Sequence, residues 1–138
     1  MINAYVLDAC AVTAIVNGEN GGEVVGAVIE AAYNGRARVM MNIINLLEVY
    51  YDKLRSLGKS EADKLIAVIK KQPIVIVSEI SASVFVEAGR IKANYRISLA
   101  DSIAIAEALT SGAILVTSDH HEMDEVEANE NIKFLWIR

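Results

Sequence analysis

Four acidic residues lie where strands and helices of the sequence meet. Asp8 and Asp119 each follow a short apolar run, while Glu48 and Asp101 fall in the first turns of helical segments. If the strands are parallel, all four side chains lie near the carboxyl ends of the strands, where open α/β sheets bind ligands. A cluster of carboxylates without a matching base repels itself unless it holds a cation. The arrangement therefore predicts a site for Mg²⁺ or Mn²⁺, which prefer oxygen ligands.

Such a site suits the hydrolysis of a phosphodiester bond. One or two bound ions would polarise the phosphate, lower the pKa of the attacking water and hold the leaving oxygen in line. Water activated in this way would attack the phosphorus of the bound phosphodiester.

The segment Ser98-x-x-Asp101 also has a structural interpretation. It matches a capping box, in which the side chains of a Ser and an acid three residues later bond each other's backbone N–H groups. Ser60-x-x-Asp63 has the same spacing, and we assign no chemistry to it. The spacing alone therefore leaves open whether Asp101 is a metal ligand or a cap.

The other three acids differ in how easily a structural role explains them. Glu48 lies in a first helical turn, where the helix dipole favours an acid. For Asp119, capping the helix that follows it would be a sufficient structural role. Asp8 ends a buried strand, and no turn residue follows it, so it needs partners or solvent.

Strands alternate with helices along the chain. Short apolar runs predict strands, and apolar residues at helical spacing between capping residues and glycines predict helices. This alternation predicts an α/β fold, a three-layer α/β/α sandwich around a parallel sheet of about five strands, in a single domain spanning residues 1–138. The predicted strands are residues 4–7, 37–41, 74–77, 113–117 and 132–137, and the predicted helices are residues 9–16, 23–33, 42–57, 60 onward, 81–95, 98–111 and a turn at 122–127.

Composition excludes several classes of protein. No apolar run is long enough to span a membrane, and the single cysteine, Cys10, excludes an internal disulfide and favours a reducing, cytoplasmic location. The net charge of −5 argues against a binder that depends on neutralising phosphates with Lys and Arg. The hydrophobic fraction of 54% suits a sheet covered by helices on both faces.

The acids and their surroundings resemble the PIN-domain family over nearly the whole chain. In size and compactness the chain looks most like the VapC-type toxins of toxin–antitoxin pairs. The segments that carry the resemblance, in order, are Asp8-Ala9-Cys10 after the first strand, Asn45-x-x-Glu48, Ser98-x-x-Asp101 before an alanine-rich helix, and Thr117-Ser118-Asp119 after a later strand.

The resemblance implies a Mg²⁺- or Mn²⁺-dependent endoribonuclease. It implies that a small antitoxin protein covers the site, and that the toxin is a homodimer. One position departs from the family, because Cys10 stands where a small hydroxyl or amide residue is common, and a thiol is a weaker hydrogen-bond partner. The residues to which the resemblance assigns metal binding are Asp8, Glu48, Asp101 and Asp119, with a hydroxyl contribution from Thr117.

Two alternatives come from other classes of protein. A non-catalytic PIN-like module could contact RNA or a partner protein, but a decayed nuclease is expected to have lost at least one acid, and this chain has all four. A receiver domain needs an acidic pair after the first strand and a late Lys, and neither is evident. Cys10 is expected to be a small core residue rather than a nucleophile.

Several other side chains are placed where RNA could reach them. Lys92 and Arg96 precede Ser98 and could face a phosphate, although ordinary surface charge explains either one. His120 and His121 follow Asp119 and could contact RNA or a metal, but we expect a solvent-exposed turn there.

Three tyrosines could stack on unpaired bases: Tyr50, Tyr51 and Tyr95. Tyr50 also belongs to the apolar stripe of its helix, so we expect it to lie in the core. The other members of that stripe are Leu46, Leu47, Leu54 and Leu57.

Overall fold

The computed structural model describes residues 2–138 and contains five strands and seven helices. All strands are parallel and form one sheet in the order β3-β2-β1-β4-β5. The predicted α/β fold is confirmed. The elements are β1 (Asn3–Leu7), α1 (Ala9–Val16), α2 (Gly22–Tyr33), β2 (Ala37–Asn42), α3 (Ile43–Leu57), α4 (Lys59–Lys70), β3 (Val75–Val77), α5 (Ala82–Asn94), α6 (Leu99–Ser111), β4 (Ile114–Thr117), α7 (His120–Asn129) and β5 (Lys133–Trp136).

Each face of the sheet has its own apolar core, so the molecule has three layers. Successive side chains of a strand point to opposite faces. Because both faces are covered by helices, β1 and β4 carry apolar residues on both sides. On one face, Leu7 and Val116 pack with buried residues of α1, α2, α3 and α4. On the other, Val6 and Leu115 pack with buried residues of α5, α6 and α7. Within residues 2–138, no helix is both long enough and apolar enough to span a membrane.

Capping residues begin α3 and α6, as the sequence predicts. The Asn42 side chain accepts a hydrogen bond from the Ile44 N–H at 2.9 Å and starts α3. Ser98 starts α6 in the same way, and Gly112 ends that helix with a φ of 63°, a conformation that glycine adopts without strain.

The end of the chain is anchored against the turn between α1 and α2. Arg138 donates hydrogen bonds to the Glu19 carboxylate at 3.3 Å and to the Asn20 carbonyl at 2.8 Å. Gly21 has a φ of 94°, and a Cβ at this position would lie 2.5 Å from the Ile137 carbonyl oxygen. Only glycine allows the two backbones to approach this closely.

The predictions for α3 and α4 were wrong in two respects. Gly58, with a φ of 87°, turns the chain directly into α4, which begins at Lys59, so Ser60 lies inside the helix and caps nothing. Tyr50 is only half-buried, and its hydroxyl donates to Asp63 at 3.0 Å. Leu47, Leu54 and Leu57 are exposed, because α3 buries the face that carries Asn45, Leu46 and Val49 instead.

Candidate metal centre

The candidate site lies at the carboxyl ends of β1, the central strand of the sheet, and its neighbour β4. Leu7 of β1 and Val116 of β4 are register partners, so Asp8 and Thr117 lie next to each other. The chain order of the strands reverses at this pair, which is where open parallel sheets form their binding crevices.

Asp8 is completely buried and its carboxylate is held on both sides. One oxygen accepts a hydrogen bond from the Ala11 N–H at 2.9 Å, so Asp8 is the N-cap of α1. The other accepts from the Thr117 hydroxyl. The pKa of Asp8 is raised to about 7, mainly by burial; the charges of Asp119 and Glu48 act in the same direction, and the two hydrogen bonds oppose the rise.

Thr117 connects two of the acids. Its buried hydroxyl donates to the Asp8 carboxylate and accepts a hydrogen bond from the Asp119 N–H at 3.0 Å. The predicted hydroxyl contribution thus consists, in this structure, of holding Asp8 in one orientation and fixing the backbone of Asp119.

Three carboxylates converge in front of Asp8. Asp101, Asp119 and Glu122 each place an oxygen within 4.8 Å of the others, and we call these three residues the acid cluster. Asp101 is buried, while Asp119 and Glu122 are partly exposed. The Asp119 carboxylate also accepts a hydrogen bond from the Glu122 N–H at 3.2 Å, so the expected capping of α7 is present as well.

The capping box predicted at Ser98 is only half formed. The Ser98 hydroxyl accepts a hydrogen bond from the Asp101 N–H at 3.2 Å. The Ser98 N–H, however, donates to the Glu122 carboxylate at 2.9 Å rather than to Asp101. Glu122 therefore takes the place that a capping box gives to Asp101, and the Asp101 carboxylate is available to the acid cluster.

No Lys or Arg among the described residues balances the charge of the acid cluster. Burial raises the pKa of Asp101, and contact with Glu122 and the charge of Asp8 raise it further. The pKa of Glu122 is lowered, because it accepts hydrogen bonds from the Asp101 carboxyl and from Ser98. Within residues 2–138, no Lys or Arg forms an ion pair with Asp8, Glu48 or the cluster. A donor set made only of oxygens, with unbalanced negative charge, fits a hard divalent cation.

Glu48 lies at the edge of this arrangement. It is partly buried in the second turn of α3 rather than the predicted first turn, because the helix already begins at Ile43, and it is not one of the three converging carboxylates. Burial raises its pKa, as do the charges of Asp52, Glu122 and Asp119. Of the four acids predicted from the sequence, the structure brings Asp101 and Asp119 into direct proximity and places Asp8 and Glu48 close enough to influence the group electrostatically.

Glu122 is the member of the acid cluster that the sequence analysis missed. A signal for it exists, because Asp119-x-x-Glu122 has the spacing of a capping box. The Glu122 carboxylate does not reach back to its own N-cap residue, since the Asp119 N–H is bonded to Thr117. It reaches across to α6 instead, and no local spacing predicts that contact.

Two buried asparagines hold α3 and α6 together behind the acids. Asn45 donates to the Ala100 carbonyl at 3.0 Å, one residue before Asp101. Asn42 donates to the buried Glu107 carboxylate at 3.3 Å. Within residues 2–138 the Asn45 side-chain oxygen has no hydrogen-bond partner. These contacts fix the start of α6, and with it the position of Asp101.

Cys10 is a free, partly buried thiol. Burial raises its pKa to about 12, and the charges of Asp8, Asp119, Asp101 and Glu48 act in the same direction. The thiol therefore stays protonated near neutral pH, in agreement with the expectation that it is not a nucleophile.

The charged side chains near the site that could reach RNA lie on the surface. Lys92 and Arg96 are exposed, and within the described residues neither has a hydrogen bond or an ion pair to hold it elsewhere. His120 and His121 are exposed as expected, but they form the first turn of α7 rather than a loop.

Comparison with known proteins identifies the fold. The family model described as PIN domain matches residues 5–129. The structure of VapBC2 from Rickettsia felis bound to a promoter DNA fragment is 18% identical, covers 96% of this chain and 97% of that one, and has a TM-score of 0.72. VapBC-1 from nontypeable Haemophilus influenzae is 14% identical, with coverages of 97% and 98% and a TM-score of 0.71.

A third structure matches a smaller part of the chain. VapC20 from Mycobacterium tuberculosis, described as a Sarcin-Ricin loop cleaving toxin, is 16% identical, covers 80% of this chain and 86% of that one, and has a TM-score of 0.56. At these identities the structural matches show a common fold. No curated protein sequence gives a significant match. Because the PIN-domain family model matches most of the sequence, the chain belongs to the PIN-domain family.

Proposed function

We propose that this chain is a metal-dependent endoribonuclease that hydrolyses RNA phosphodiester bonds. The observation that carries the proposal is the acid cluster, in which three carboxylates converge near buried Asp8 and no Lys or Arg among the described residues forms an ion pair with them. Membership of the PIN-domain family supports the same reading. We assign Mg²⁺ or Mn²⁺ as the cofactor, because both take oxygen ligands and leave positions for water and phosphate.

The proposed metal ligands are the acid cluster, with Asp8 and Glu48 contributing from its sides. A bound cation would supply the positive charge that polarises the phosphate and lowers the pKa of the attacking water. The chain's own residues set the geometry: Thr117 orients the Asp8 carboxylate, and Glu122 and Ser98 together hold the start of α6. Burial keeps water away from Asp8.

The protonation of these acids should be linked to metal binding. The raised pKa values of Asp8 and Asp101 mean that both carboxyls can hold a proton in the metal-free protein at neutral pH. Carboxylates must be deprotonated to bind a metal, so a cation would displace these protons.

We further propose that the chain is the toxin of a toxin–antitoxin pair, acting in the cytoplasm as a homodimer. Structural neighbours include VapBC proteins, and one of them, VapC20, is described as a toxin that cleaves the Sarcin-Ricin loop. Exposed apolar side chains offer surface for a second copy and for an antitoxin: Leu47, Leu57, Phe85 and Val86 are 50%, 59%, 72% and 67% exposed.

Cleavage of a mixed RNA pool tests the enzymatic proposal. We expect cleavage with Mg²⁺ or Mn²⁺, none with EDTA, and 5′-phosphates at the mapped ends. Undiminished cleavage in EDTA, or products that end in a 2′,3′-cyclic phosphate, would contradict it. Binding of RNA without cleavage in any of these metals would favour the non-catalytic module.

Expression in cells tests the toxin proposal separately. Wild-type protein should arrest growth, and co-expression of an adjacent small gene should relieve the arrest. The Asp101→Asn variant, expressed to the same level, is the matched control and should be harmless. If growth is indifferent to a protein that cleaves RNA in vitro, the toxin assignment fails and the nuclease assignment stands.

A further inference from the structure

Three aromatic rings form a continuous stack beside the acid cluster. The His120 ring lies on Trp136 with centroids 3.7 Å apart and planes inclined by 14°, and Trp136 lies on Phe134 at 4.9 Å and 6°. Parallel planes at these separations are typical of stacked rings. Phe134 and Trp136 share one face of β5 because they are two positions apart, and His120 is the first residue of α7.

Hydrogen bonds hold two rings of the stack, those of His120 and Trp136, in place. The His120 Nδ1 atom lies 2.7 Å from an Asp124 carboxylate oxygen, and Nε2 lies 2.9 Å from the Arg138 carbonyl oxygen. The Trp136 Nε1–H donates to the Glu127 carboxylate at 3.0 Å. Because both nitrogens of the imidazole are engaged, the ring cannot turn without breaking these bonds, and a ligand that stacked on it would meet a surface already ordered.

The outer face of His120 is open. The side chain is 48% exposed, although its inner face rests on Trp136 and both nitrogens are bonded. The exposed part is therefore the opposite face of the ring and its carbon edge. Within residues 2–138 no other aromatic ring stacks on that face and no Lys or Arg lies over it. The hydrogen bonds explain why the ring is fixed, but they leave its outer face without a partner.

The position of this face relates it to the acid cluster. His120 directly follows Asp119, so their Cα atoms are about 3.8 Å apart. Aromatic side chains with an open face beside a phosphate-binding site are a common way to hold single-stranded nucleic acid, because every base has a π face. A strand whose phosphate lies at the acid cluster brings its neighbouring bases into this region.

We propose that the outer face of His120, supported by Trp136 and Phe134, is a stacking platform for one unpaired base of the RNA strand. The assignment deepens the proposed function, on which it rests, because it gives the same substrate a base-binding position next to the cleavage site. It gives His120 a binding role in addition to anchoring the end of the chain.

Trp136 provides a direct probe, since it is the only tryptophan in the chain. We would titrate the wild-type protein in Ca²⁺ with a six-nucleotide adenine RNA, and with the same ribose–phosphate chain lacking its bases, and follow Trp136 fluorescence and affinity. The RNA with bases should change the fluorescence and bind about tenfold more tightly or better than the abasic chain. The two probes carry the same charge, so the difference reports the bases alone.

Variants separate stacking from anchoring. His120→Ala should lose the preference for bases. His120→Phe keeps a flat ring and loses both hydrogen bonds, so it should retain the preference. His121→Ala is the matched control: the residue is exposed, adjacent and outside the stack, and its removal should leave the preference intact. Circular dichroism of each variant checks that it is folded, and the wild-type comparison stands even if one is not.

Several results would overturn the platform. They are equal affinity of the wild type for the two probes, a His120→Ala variant that keeps the preference, a His120→Phe variant that loses it, or no binding of either probe. The outcome is independent of the nuclease assignment. If the protein cleaves RNA but shows no base preference, the platform proposal fails and the nuclease proposal stands. If it shows the preference but does not cleave RNA, the nuclease proposal fails and the platform proposal stands.

Discussion

The pattern Ser-x-x-Asp occurs near the start of two helices, with opposite results. At α6, the Ser98 hydroxyl caps the helix, and Asp101 is buried among other acids. At α4, Ser60 caps nothing, and the exposed Asp63 carboxylate accepts a hydrogen bond from Lys59 Nζ at 2.5 Å. Burial raises the pKa of Asp101, whereas the bond from Lys59 lowers that of Asp63. Spacing places a carboxylate at a helix start, and its surroundings decide whether it needs a cation.

The largest expected difference between the two acids is catalytic. Asp101→Asn should lower the rate of RNA cleavage by about 100-fold or more, because a lost ligand weakens the binding of the ion that stabilises the transition state. In EDTA the variant should be as stable as the wild type or more so, because the buried amide carries no charge and can still donate a hydrogen bond to Glu122. Added Mn²⁺ should raise its melting temperature less than that of the wild type.

Asp63→Asn is the matched control for this measurement. It should keep the cleavage rate and the full Mn²⁺-induced shift, and lose little stability, because the ion pair that it breaks is exposed to solvent. An Asp101→Asn protein that is destabilised in EDTA and keeps the full shift would mean that Asp101 is a structural residue.

Glu122 sharpens the comparison, because it has taken over the capping role at Ser98. In Glu122→Gln the side-chain oxygen can still accept from the Ser98 N–H, but the charge is lost. We expect a lower stability in EDTA at neutral pH, because the folded protein stabilises the Glu122 charge, and a Mn²⁺ affinity lower by about tenfold or more, measured by calorimetry. Glu122→Ala should lose both the affinity and about 0.5–2 kcal/mol of stability. Equal Mn²⁺ affinity in wild type and Glu122→Gln would remove Glu122 from the ligands.

The two serines give a smaller effect that involves no metal. Ser98→Ala removes the hydroxyl that accepts from the Asp101 N–H and should lower the free energy of unfolding by about 0.5–2 kcal/mol. Ser60→Ala should change it by less than about 0.5 kcal/mol, since Ser60 is an exposed residue inside α4. Urea denaturation in EDTA measures both. Equal losses would contradict the difference between the two helix starts.

Glu107 provides the smallest effect and a pH dependence. It is a buried acid on the same helix as Asp101, but its partner is the amide of Asn42. Burial raises its pKa above the ordinary value of 4.5. A raised carboxyl pKa contributes stability that is fully present below the unfolded pKa and is lost as pH rises through the folded one.

Glu107→Gln should therefore match the wild type in stability near pH 4 and exceed it at pH 8 by about 1 kcal/mol, the usual size of a single-site effect. The glutamine oxygen can still accept from Asn42, so the hydrogen bond is not the variable. Denaturation curves at the two pH values measure the difference. A variant less stable than the wild type at pH 8 would show that the charge is satisfied in the folded protein.

The sequence predicts the fold well where local rules and burial agree. The apolar runs that give β1 and β4 predict buried parallel strands, and Asn42 and Ser98 begin their helices as capping residues should. The predictions failed where two local signals compete. At α4, the positive φ of Gly58 overrides the capping signal of Ser60.

The candidate site is less completely predicted than the fold. Asp101 and Asp119 are brought together by strand and helix ends, which periodicity reveals. Glu122 enters the acid cluster through a bond to Ser98, 24 residues away in the sequence, and only tertiary packing decides that contact. The same limit applies to Tyr50, whose polar end meets Asp63 on the next helix.

The pairing of β1 with β4 also has a consequence for synthesis. The Asp8 carboxylate and the Thr117 hydroxyl that orients it are 109 residues apart in the chain. At about 5–20 residues per second, a ribosome needs roughly 5–20 s to travel from one to the other. During that interval β4 is not yet available to pair with β1, and the acids cannot come together. A nascent chain that does not yet include β4 therefore cannot form the hydrogen bond that orients Asp8.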